Sequence, residues 1–145
     1  MKALIQRVSQ AKVVVDGQTK GQINQGILAF IGIEKDDQLT QVDKMIKRLL
    51  SYRIFADEQN KMNRSVVDVG GSVLIISQFT LAADTNSGTR AGFSTAKEPV
   101  EAQKLYDYFV HQIKHKYSPI ETGVFGADMQ VSLTNDGPVT FLLTC

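Results

Sequence analysis

The sequence lacks several features that mark secreted proteins, membrane proteins and strongly basic RNA-binding proteins. A single cysteine, Cys145, excludes an internal disulfide and indicates a reducing compartment. The 16 basic side chains are nearly balanced by 15 acidic ones, so no overall positive field attracts RNA or a membrane surface. No apolar run is long enough to span a bilayer, and the first residues do not form a signal peptide. These absences predict a cytoplasmic protein with no membrane partner.

The length and composition suit one globular domain. A chain of this size buries roughly 68–70% of the surface that it exposes when unfolded, which is enough for a substantial core. The hydrophobic fraction of 43% and the charged fraction of 21% are ordinary for such a domain. Because no repeat, low-complexity tract or linker divides the chain, we predict a single domain over residues 1–145.

Short apolar runs separated by turn residues predict strands in the N-terminal third. Asp16-Gly17, between two β-branched runs, is a strong hairpin signal, and Asn24-Gln25-Gly26 marks another turn. The strands predicted from this pattern cover residues 2–8, 12–15, 18–23 and 27–33.

Apolar residues at helical spacing predict two amphipathic helices. The first covers residues 38–52, with Leu39, Val42, Met45, Ile46, Leu49 and Leu50 on its inner face. The second begins at Pro99, a residue that suits the first helical turn, and ends near Lys116.

The remaining segments complete a mixed pattern of strands and helices. The apolar run at 72–79 predicts a central strand, and alternating residues predict strands at 129–134 and 139–144. Residues 53–55 suit a short strand before a polar loop at 57–63, residues 82–94 a surface loop, and residues 121–126 a turn. The predicted fold class is therefore α/β, with mixed or antiparallel curled β-sheets layered against two main helices.

Several candidate chemical groups have an ordinary explanation. His111 and His115 share a helix face, but the third ligand and the glutamate of a zinc motif are missing, so we expect a solvated surface and no metal. Cys145 is the last residue, where a fixed base is seldom available, and we treat it as incidental.

Basic residues gather on and just after the first predicted helix. Lys44, Lys47, Arg48 and Arg53 are compatible with an ordinary solvated face and with a modest phosphate-docking surface. Composition alone favours the solvated face.

Polar residues follow directly after the central strand. Ser77-Gln78-Phe79-Thr80 presents three hydrogen-bonding side chains as the strand stops. Strands often end in polar residues, but backbone N–H groups and hydroxyls at such a point also suit an oxyanion site.

A glycine and a proline lie between the last two predicted strands. Asn135-Asp136-Gly137-Pro138 suits a plain β-turn. Alternatively, because an X-Pro bond adopts the cis form at an intrinsic cost of only about 0.5–1 kcal/mol, the pair can present backbone carbonyls in a fixed geometry.

Together these motifs resemble one family over nearly the whole chain. SQFTLAADT (77–85) and FGADMQVSLTNDGPVTF (125–141), together with ALIQRV, YRIF and KMN, look like the bacterial D-aminoacyl-tRNA deacylases. The resemblance implies hydrolysis of the ester between a D-amino acid and the 3′ end of tRNA, and removal of glycine from mischarged tRNA. It also implies a compact α/β homodimer that needs no metal or cofactor.

The resemblance assigns a role to each motif. Gly137 and Pro138 would form a cis peptide that reaches into the partner's active site, holds the α-amino group and leaves no room for an L side chain. Arg7 would brace the loop that carries this pair. Met129 would line the pocket, although a buried strand methionine explains it equally well.

Two mechanisms remain open for Ser77, Gln78, Phe79 and Thr80. Thr80 attacks the ester in one, which requires a nearby base that the sequence does not supply. In the other, backbone N–H groups near Gln78 and Phe79 polarise the carbonyl, and the ribose 2′-hydroxyl assists the attack of water. We favour the second because an aminoacyl ester is already activated.

Two loops depart from the family pattern. The family often has Arg-Pro-Ser-Phe where this chain has Arg90-Ala91-Gly92-Phe93, and a basic residue at the position of Val124. These differences bear on binding of substrate or RNA. The alternatives to an editing hydrolase are a non-catalytic RNA- or protein-binding module on the same scaffold, and a relative with a trans Gly-Pro peptide that admits small L-residues.

Overall fold

The computed structural model describes all residues, 1–145, and contains eight strands and two α-helices. A short 3-10 helix covers Phe79–Ala82, directly after the sixth strand. The elements are β1 (Lys2–Val15), β2 (Gln18–Ile23), β3 (Gly26–Gly32), α1 (Leu39–Ser51), β4 (Phe55–Ala56), β5 (Met62–Arg64), β6 (Ser72–Ser77), α2 (Pro99–Lys116), β7 (Ile120–Thr122) and β8 (Gln130–Thr144).

The main sheet is built around β1. Its strand order is β2-β1-β3-β6-β7, and β8 pairs with β1. β3 pairs with the first half of β1 and β2 with the second half, while β8 pairs along nearly all of β1, each in the antiparallel sense. β3–β6 and β6–β7 are parallel pairs, and β4 and β5 form a separate small hairpin.

The sheet curls so that β2 approaches its far end. A Cβ atom added to Gly21 in β2 would lie 3.0 Å from both Leu74 Cδ1 and the Thr122 carbonyl oxygen. Only a strand without side-chain bulk at this point can pack so closely over β6 and β7. The predicted curled sheet is confirmed.

The curled sheet has a hydrophobic core on each face. Ile27, Ala29 and Ile31 of β3 join the core shared with the helices, whereas Leu28 and Phe30 pack inside the curl. β6 alternates in the same way and is buried along its apolar run, as a central parallel strand must be.

Both helices match their predicted spans closely and pack on one face of the sheet. α1 buries Val42, Met45, Ile46 and Leu49. α2 starts with Pro99 and buries Ala102, Tyr106, Phe109 and Ile113. Leu39 was predicted on the inner face, but it is half exposed because it begins the helix. Neither helix combines the length and the apolar character needed to cross a membrane.

The structure corrects several predicted boundaries. The predicted strands at 2–8 and 12–15 are one strand, since Ser9 and Gln10 face solvent and pairing with β8 resumes at Gln10 after an irregularity. Residues 120–122 form β7 rather than part of a turn, because three residues suffice to pair beside β6. The central strand stops at residue 77, and the 3-10 helix follows.

The two chain ends meet beside the turn after β3. The Met1 ammonium donates hydrogen bonds to Glu34 Oε2 at 2.7 Å, to Asp37 Oδ1 at 2.6 Å and to the Cys145 carbonyl oxygen at 3.0 Å. Asp37 is 4% exposed, so this buried carboxylate has a charged partner. The cluster ties the first strand, the last strand and the approach to α1 together.

Candidate active site

A cavity of about 470 Å³ opens where β3 and β6 end. The two strands are parallel, so their carboxyl ends lie at the same edge of the sheet, which is where α/β proteins bind ligands. The start of α2 and the segment before β8 complete its walls. The lining residues are Ile31, Ile33, Ile76, Ser77, Gln78, Phe79, Lys97, Pro99, Ala102, Phe125, Gly126, Ala127, Met129 and Val131.

The polar residues after β6 form one edge of this cavity. The Gln78 N–H donates to the Ile31 carbonyl oxygen at 2.8 Å, so it is not free to bind a substrate oxygen. Phe79 and Thr80 begin the 3-10 helix, and the first N–H groups of a helix have no partner within it. These two N–H groups are therefore the backbone donors that this edge can offer to a ligand.

Thr80 has no base beside it. Its hydroxyl oxygen accepts a hydrogen bond from Gln78 Nε2 at 2.5 Å, which is its one polar side-chain contact. The side chain is exposed and does not line the cavity. A threonine in this setting lacks the activation that a nucleophile requires.

Two exposed phenylalanine rings lie together beside this edge of the cavity. The rings of Phe79 and Phe93 lie 5.1 Å apart between centroids, and Phe79 is 62% exposed. Phe93 belongs to the loop that departs from the family pattern, which is held by paired backbone hydrogen bonds between Asp84 and Gly92 at 2.8 and 3.0 Å. The departure at Ala91-Gly92 thus lies next to Phe93, whose ring contacts the cavity-lining Phe79.

Met129 lines the opposite wall. A Cβ atom added to Gly123 would lie 2.6 Å from Met129 Sδ and 2.9 Å from Ile76 Cδ1, so the thioether packs where Gly123 has no side chain. Met129 therefore contributes both to the cavity wall and to the core inside the curled sheet, combining the two roles that the sequence left open.

Buried aromatic packing supports the cavity from below. The Tyr106 ring packs against Phe125, with centroids 5.5 Å apart, and its hydroxyl donates to the Ile75 carbonyl oxygen at 3.1 Å. Burial raises the pKa of Tyr106 well above its ordinary value, so it stays protonated and acts as a structural donor. The sequence did not single out Phe125, Gly126 and Lys97 as lining residues. Phe125 and Gly126 begin the family-like motif at 125–141, but Lys97 lies in no such motif.

Gly137 and Pro138 lie on a protrusion of β8. Thr140 pairs with Gln6 and Asn135 with Val8. Between these pairs β8 has four residues, 136–139, where β1 has only Arg7, and the extra residues bulge outward. The predicted break between two strands is therefore wrong: the chain continues in the same direction on both sides of the bulge. The Gly137-Pro138 peptide is cis, and both residues are exposed.

The backbone of the protrusion requires glycine at its tip. Gly137 has a φ of +138°, a conformation that side-chain-bearing residues rarely adopt. An added Cβ would lie 2.7 Å from Val139 Cγ2 and 3.1 Å from an Arg7 guanidinium nitrogen.

Arg7 holds one side of the protrusion. Its Nε donates to the Asp136 carbonyl oxygen at 3.0 Å and lies 3.3 Å from Asp136 Oδ2. Its Nη1 donates to the Ile54 carbonyl oxygen at 2.7 Å, which links the bulge to the segment before the β4–β5 hairpin.

Asn135 closes the other side of the protrusion. Its Oδ1 accepts the Val139 N–H at 2.9 Å, and its Nδ2 donates to Thr140 Oγ1 at 2.8 Å. The sequence did not single out Asn135 by itself, although Asn135 lies in the family-like motif at 125–141.

The predicted site residues therefore form two groups within one chain. Ser77, Gln78, Phe79 and Met129 line the cavity, with Thr80 just outside it. Arg7, Gly137 and Pro138 belong to the protrusion and do not line that cavity. The geometry of one chain does not bring the two groups together.

No group of three or more His, Cys, Asp or Glu side chains is arranged to hold a metal ion. The rings of His111 and His115 lie 4.2 Å apart, and His115 Nδ1 donates to the His111 carbonyl oxygen at 2.8 Å.

Comparison with known proteins agrees with the resemblance seen in the motifs. The family model described as D-Tyr-tRNA(Tyr) deacylase matches residues 4–144. The D-aminoacyl-tRNA deacylase of Saccharophagus degradans is 60% identical over 144 residues and that of Alcanivorax borkumensis 57% over 143, each match covering 99% of both chains.

Solved structures share the fold. A protein described as c-Myc DNA unwinding element binding protein is 38% identical, with a TM-score of 0.95 over 100% of this chain and 99% of the other. A probable eukaryotic D-amino acid tRNA deacylase aligns with a TM-score of 0.85 over 98% and 97% of the two chains, and at 16% identity it shows the fold alone. On the family match and these close relatives, the chain belongs to the D-Tyr-tRNA(Tyr) deacylase family.

Proposed function

We propose that this enzyme hydrolyses the ester between a D-amino acid and the 3′ end of tRNA, releases both products, and spares L-aminoacyl-tRNA. Membership of the deacylase family supports the reaction class. The observation that carries the proposal is the cavity at the ends of β3 and β6, edged by the free end of a 3-10 helix. The proposal includes D-tyrosyl-tRNA among the substrates and places the enzyme in the cytoplasm, where it proofreads chirality for translation.

The cavity edge acts by orientation and by stabilising negative charge. The ester carbonyl points at the N–H groups of Phe79 and Thr80, which stabilise the oxyanion as water attacks. The ribose 2′-hydroxyl beside the ester assists that water. Fixing an activated ester beside water removes much of the entropic barrier, so a covalent intermediate is not needed.

The proposed gate for chirality is the Gly137-Pro138 segment of a second copy of this chain. Both residues are exposed on a protrusion and do not line the cavity of their own chain. Arg7 and Asn135 hold the main chain of the protrusion on both sides. Inserted into the partner's cavity, this segment binds the α-amino group and excludes an L side chain by steric conflict.

Glycine passes such a gate because it has no side chain to exclude. Mischarged glycyl-tRNA is therefore included in the proposed substrate set. A gate made of main chain suits this task, since it cannot change rotamer to admit the wrong enantiomer.

The outer edge of β8 supports a homodimer. β8 pairs with β1 alone, so its other edge has no partner strand in the chain. Phe141 and Leu142 on this strand are 37% and 54% exposed. A long edge strand with exposed apolar side chains is a site for association with another chain.

The direct test incubates the protein with D-tyrosyl-tRNA and with L-tyrosyl-tRNA and measures release of free tyrosine. The proposal predicts rapid release of the D enantiomer and release of the L enantiomer at the uncatalysed rate. If the protein binds tRNA but hydrolyses neither substrate, it is a non-catalytic binding module and the proposal is wrong.

A further inference from the structure

A second concave surface lies between the two helices, away from the cavity. This groove has a volume of about 800 Å³ and is open to solvent. Its walls come from α1, α2 and the loop before β6. The lining residues are Asp43, Lys44, Ile46, Lys47, Leu50, Ser51, Ser65, Val67, Asp68, Tyr108, Gln112 and Lys116.

Three lysines on the groove have no acidic partner. Lys44, Lys47 and Lys116 make no ion pair with a carboxylate within 4.0 Å, and all three are exposed. Arg48 lies next to Lys47 on the same helix, but its Nη1 donates to the Thr144 carbonyl oxygen at 2.5 Å. The structure therefore separates the free lysines from an arginine that is already engaged.

The two carboxylates of the groove accept hydrogen bonds from neutral donors. Asp43 Oδ1 accepts from the Tyr108 hydroxyl at 3.4 Å. Asp68 Oδ2 accepts from the Ser65 N–H and from its hydroxyl, both at 2.7 Å. Both carboxylates keep their negative charge, but the three lysines of the lining outnumber its two aspartates, so the groove carries a net positive charge and three ammonium groups free to meet a phosphate.

Helix α2 connects this groove to the cavity. Pro99 and Ala102 at its start line the cavity, and Tyr108, Gln112 and Lys116 along its later turns line the groove. At 1.5 Å per residue, Ala102 and Lys116 lie about 21 Å apart along the helix axis. A single tRNA can contact both, with its 3′ end in the cavity and its acceptor arm over α2.

We propose that the groove between α1 and α2 binds the sugar-phosphate backbone of the tRNA acceptor arm through Lys44, Lys47 and Lys116. The inference rests on the proposed function for its substrate. Lysine ammonium groups bind phosphates as point charges, and such contacts orient an RNA without reading its sequence. This suits an enzyme that recognises a class of tRNA esters rather than one tRNA.

The test compares a long and a short substrate carrying the same D-amino acid. One is D-tyrosyl-tRNA, and the other is D-tyrosine esterified to the 3′-terminal trinucleotide alone. The triple variant Lys44→Ala, Lys47→Ala, Lys116→Ala is expected to lose about tenfold or more in kcat/KM for the tRNA and to retain kcat/KM for the trinucleotide within about twofold. The slope of log affinity for tRNA against log salt concentration is expected to fall by about three, because each lysine neutralises one phosphate.

A matched control removes the same charge elsewhere. Lys12→Ala, Lys20→Ala, Lys61→Ala changes three exposed lysines outside the groove and is expected to leave both substrates unaffected. An equal loss with the control variant, an equal loss on both substrates, or no loss on tRNA would each overturn the proposal. Failure of the proposed function is recognised separately, since the unmodified protein would then hydrolyse neither substrate.

Discussion

Asn135 Oδ1 accepts a hydrogen bond from the Val139 N–H at 2.9 Å and thereby spans the peptide between Gly137 and Pro138. The same amide donates to Thr140 Oγ1. With Arg7 bound to the Asp136 carbonyl on the other side, the exposed tip of the protrusion is held without packing against a core. This arrangement fits a segment whose function depends on the position of its main chain.

Replacing Asn135 tests whether that position controls selectivity. Asn135→Ala leaves the Val139 N–H without its partner, and we expect the ratio of D-tyrosyl-tRNA to L-tyrosyl-tRNA hydrolysis to fall at least about tenfold. Asn135→Asp keeps the acceptor for Val139 and is expected to retain most of the ratio. A loss of stability of about 0.5–1.5 kcal/mol in Asn135→Ala with an unchanged ratio would assign the residue a purely structural role.

Thr80→Ala is expected to turn over D-tyrosyl-tRNA at a rate within a few-fold of the unmodified enzyme. The hydroxyl has no base, and its one side-chain contact is the Gln78 amide. Single-turnover kinetics on the purified variant, with circular dichroism to verify its fold, provide the measurement. A collapse to the uncatalysed rate in a folded variant would instead identify Thr80 as the nucleophile.

Gly137→Ala is expected to displace the main chain of the proposed gate. The new Cβ meets Val139 and Arg7 at a positive φ, which costs about 1–3 kcal/mol locally. We expect D-selectivity to be lost and the midpoint of thermal unfolding to fall by roughly 3–10 °C, because this strain raises the free energy of the folded state. Gly88→Ala is the matched control, because Gly88 also has a positive φ but faces open space. If both variants kept full selectivity, the conformation of Gly137 would not matter to the reaction.

The cluster at Met1 predicts a pH effect on stability. Burial raises the pKa of Glu34, but the hydrogen bond and charge of the Met1 ammonium, aided by Lys2, outweigh it and hold the pKa below its ordinary value. The stabilisation is present above the pKa of the unfolded chain, near 4.5, and is lost as pH falls through the lower folded-state pKa. Since Glu34 is partly exposed, the effect is modest.

Urea unfolding of the unmodified protein and of Glu34→Gln checks this prediction. We expect the variant to be less stable at about pH 7 and the difference to shrink as the pH is lowered below the unfolded-chain pKa and through the depressed folded-state pKa. If the difference in the free energy of unfolding stays the same at low pH, the charge of the Glu34 carboxylate does not cause it.

The sequence predicted the elements whose pattern is local. Spacing of apolar residues located α1 and α2, and the continuous apolar run located β6, because each buries a face set by its own periodicity. It failed at β8, where a glycine and a proline look like a turn but form a bulge beside β1. Pairing with a distant strand decides that outcome, and local residues do not encode it.

The site was predictable only in part for the same reason. The motif at Ser77 identified one edge of the cavity, but the hydrogen bond that occupies the Gln78 N–H depends on the neighbouring strand β3. Lys97 reaches the cavity only through tertiary packing. The separation of the two groups of site residues also became visible only in three dimensions.

The most direct test of the account mixes two defective variants. Ala127→Trp blocks the cavity, and deletion of Gly137 and Pro138 removes the gate, while each variant keeps the part that the other lacks. Co-folded as mixed dimers, they are expected to regain stereoselective hydrolysis of D-tyrosyl-tRNA, because an open cavity then receives an intact segment from its partner. If mixed dimers form but hydrolysis stays at the level of the separate variants, the gate is not donated between chains.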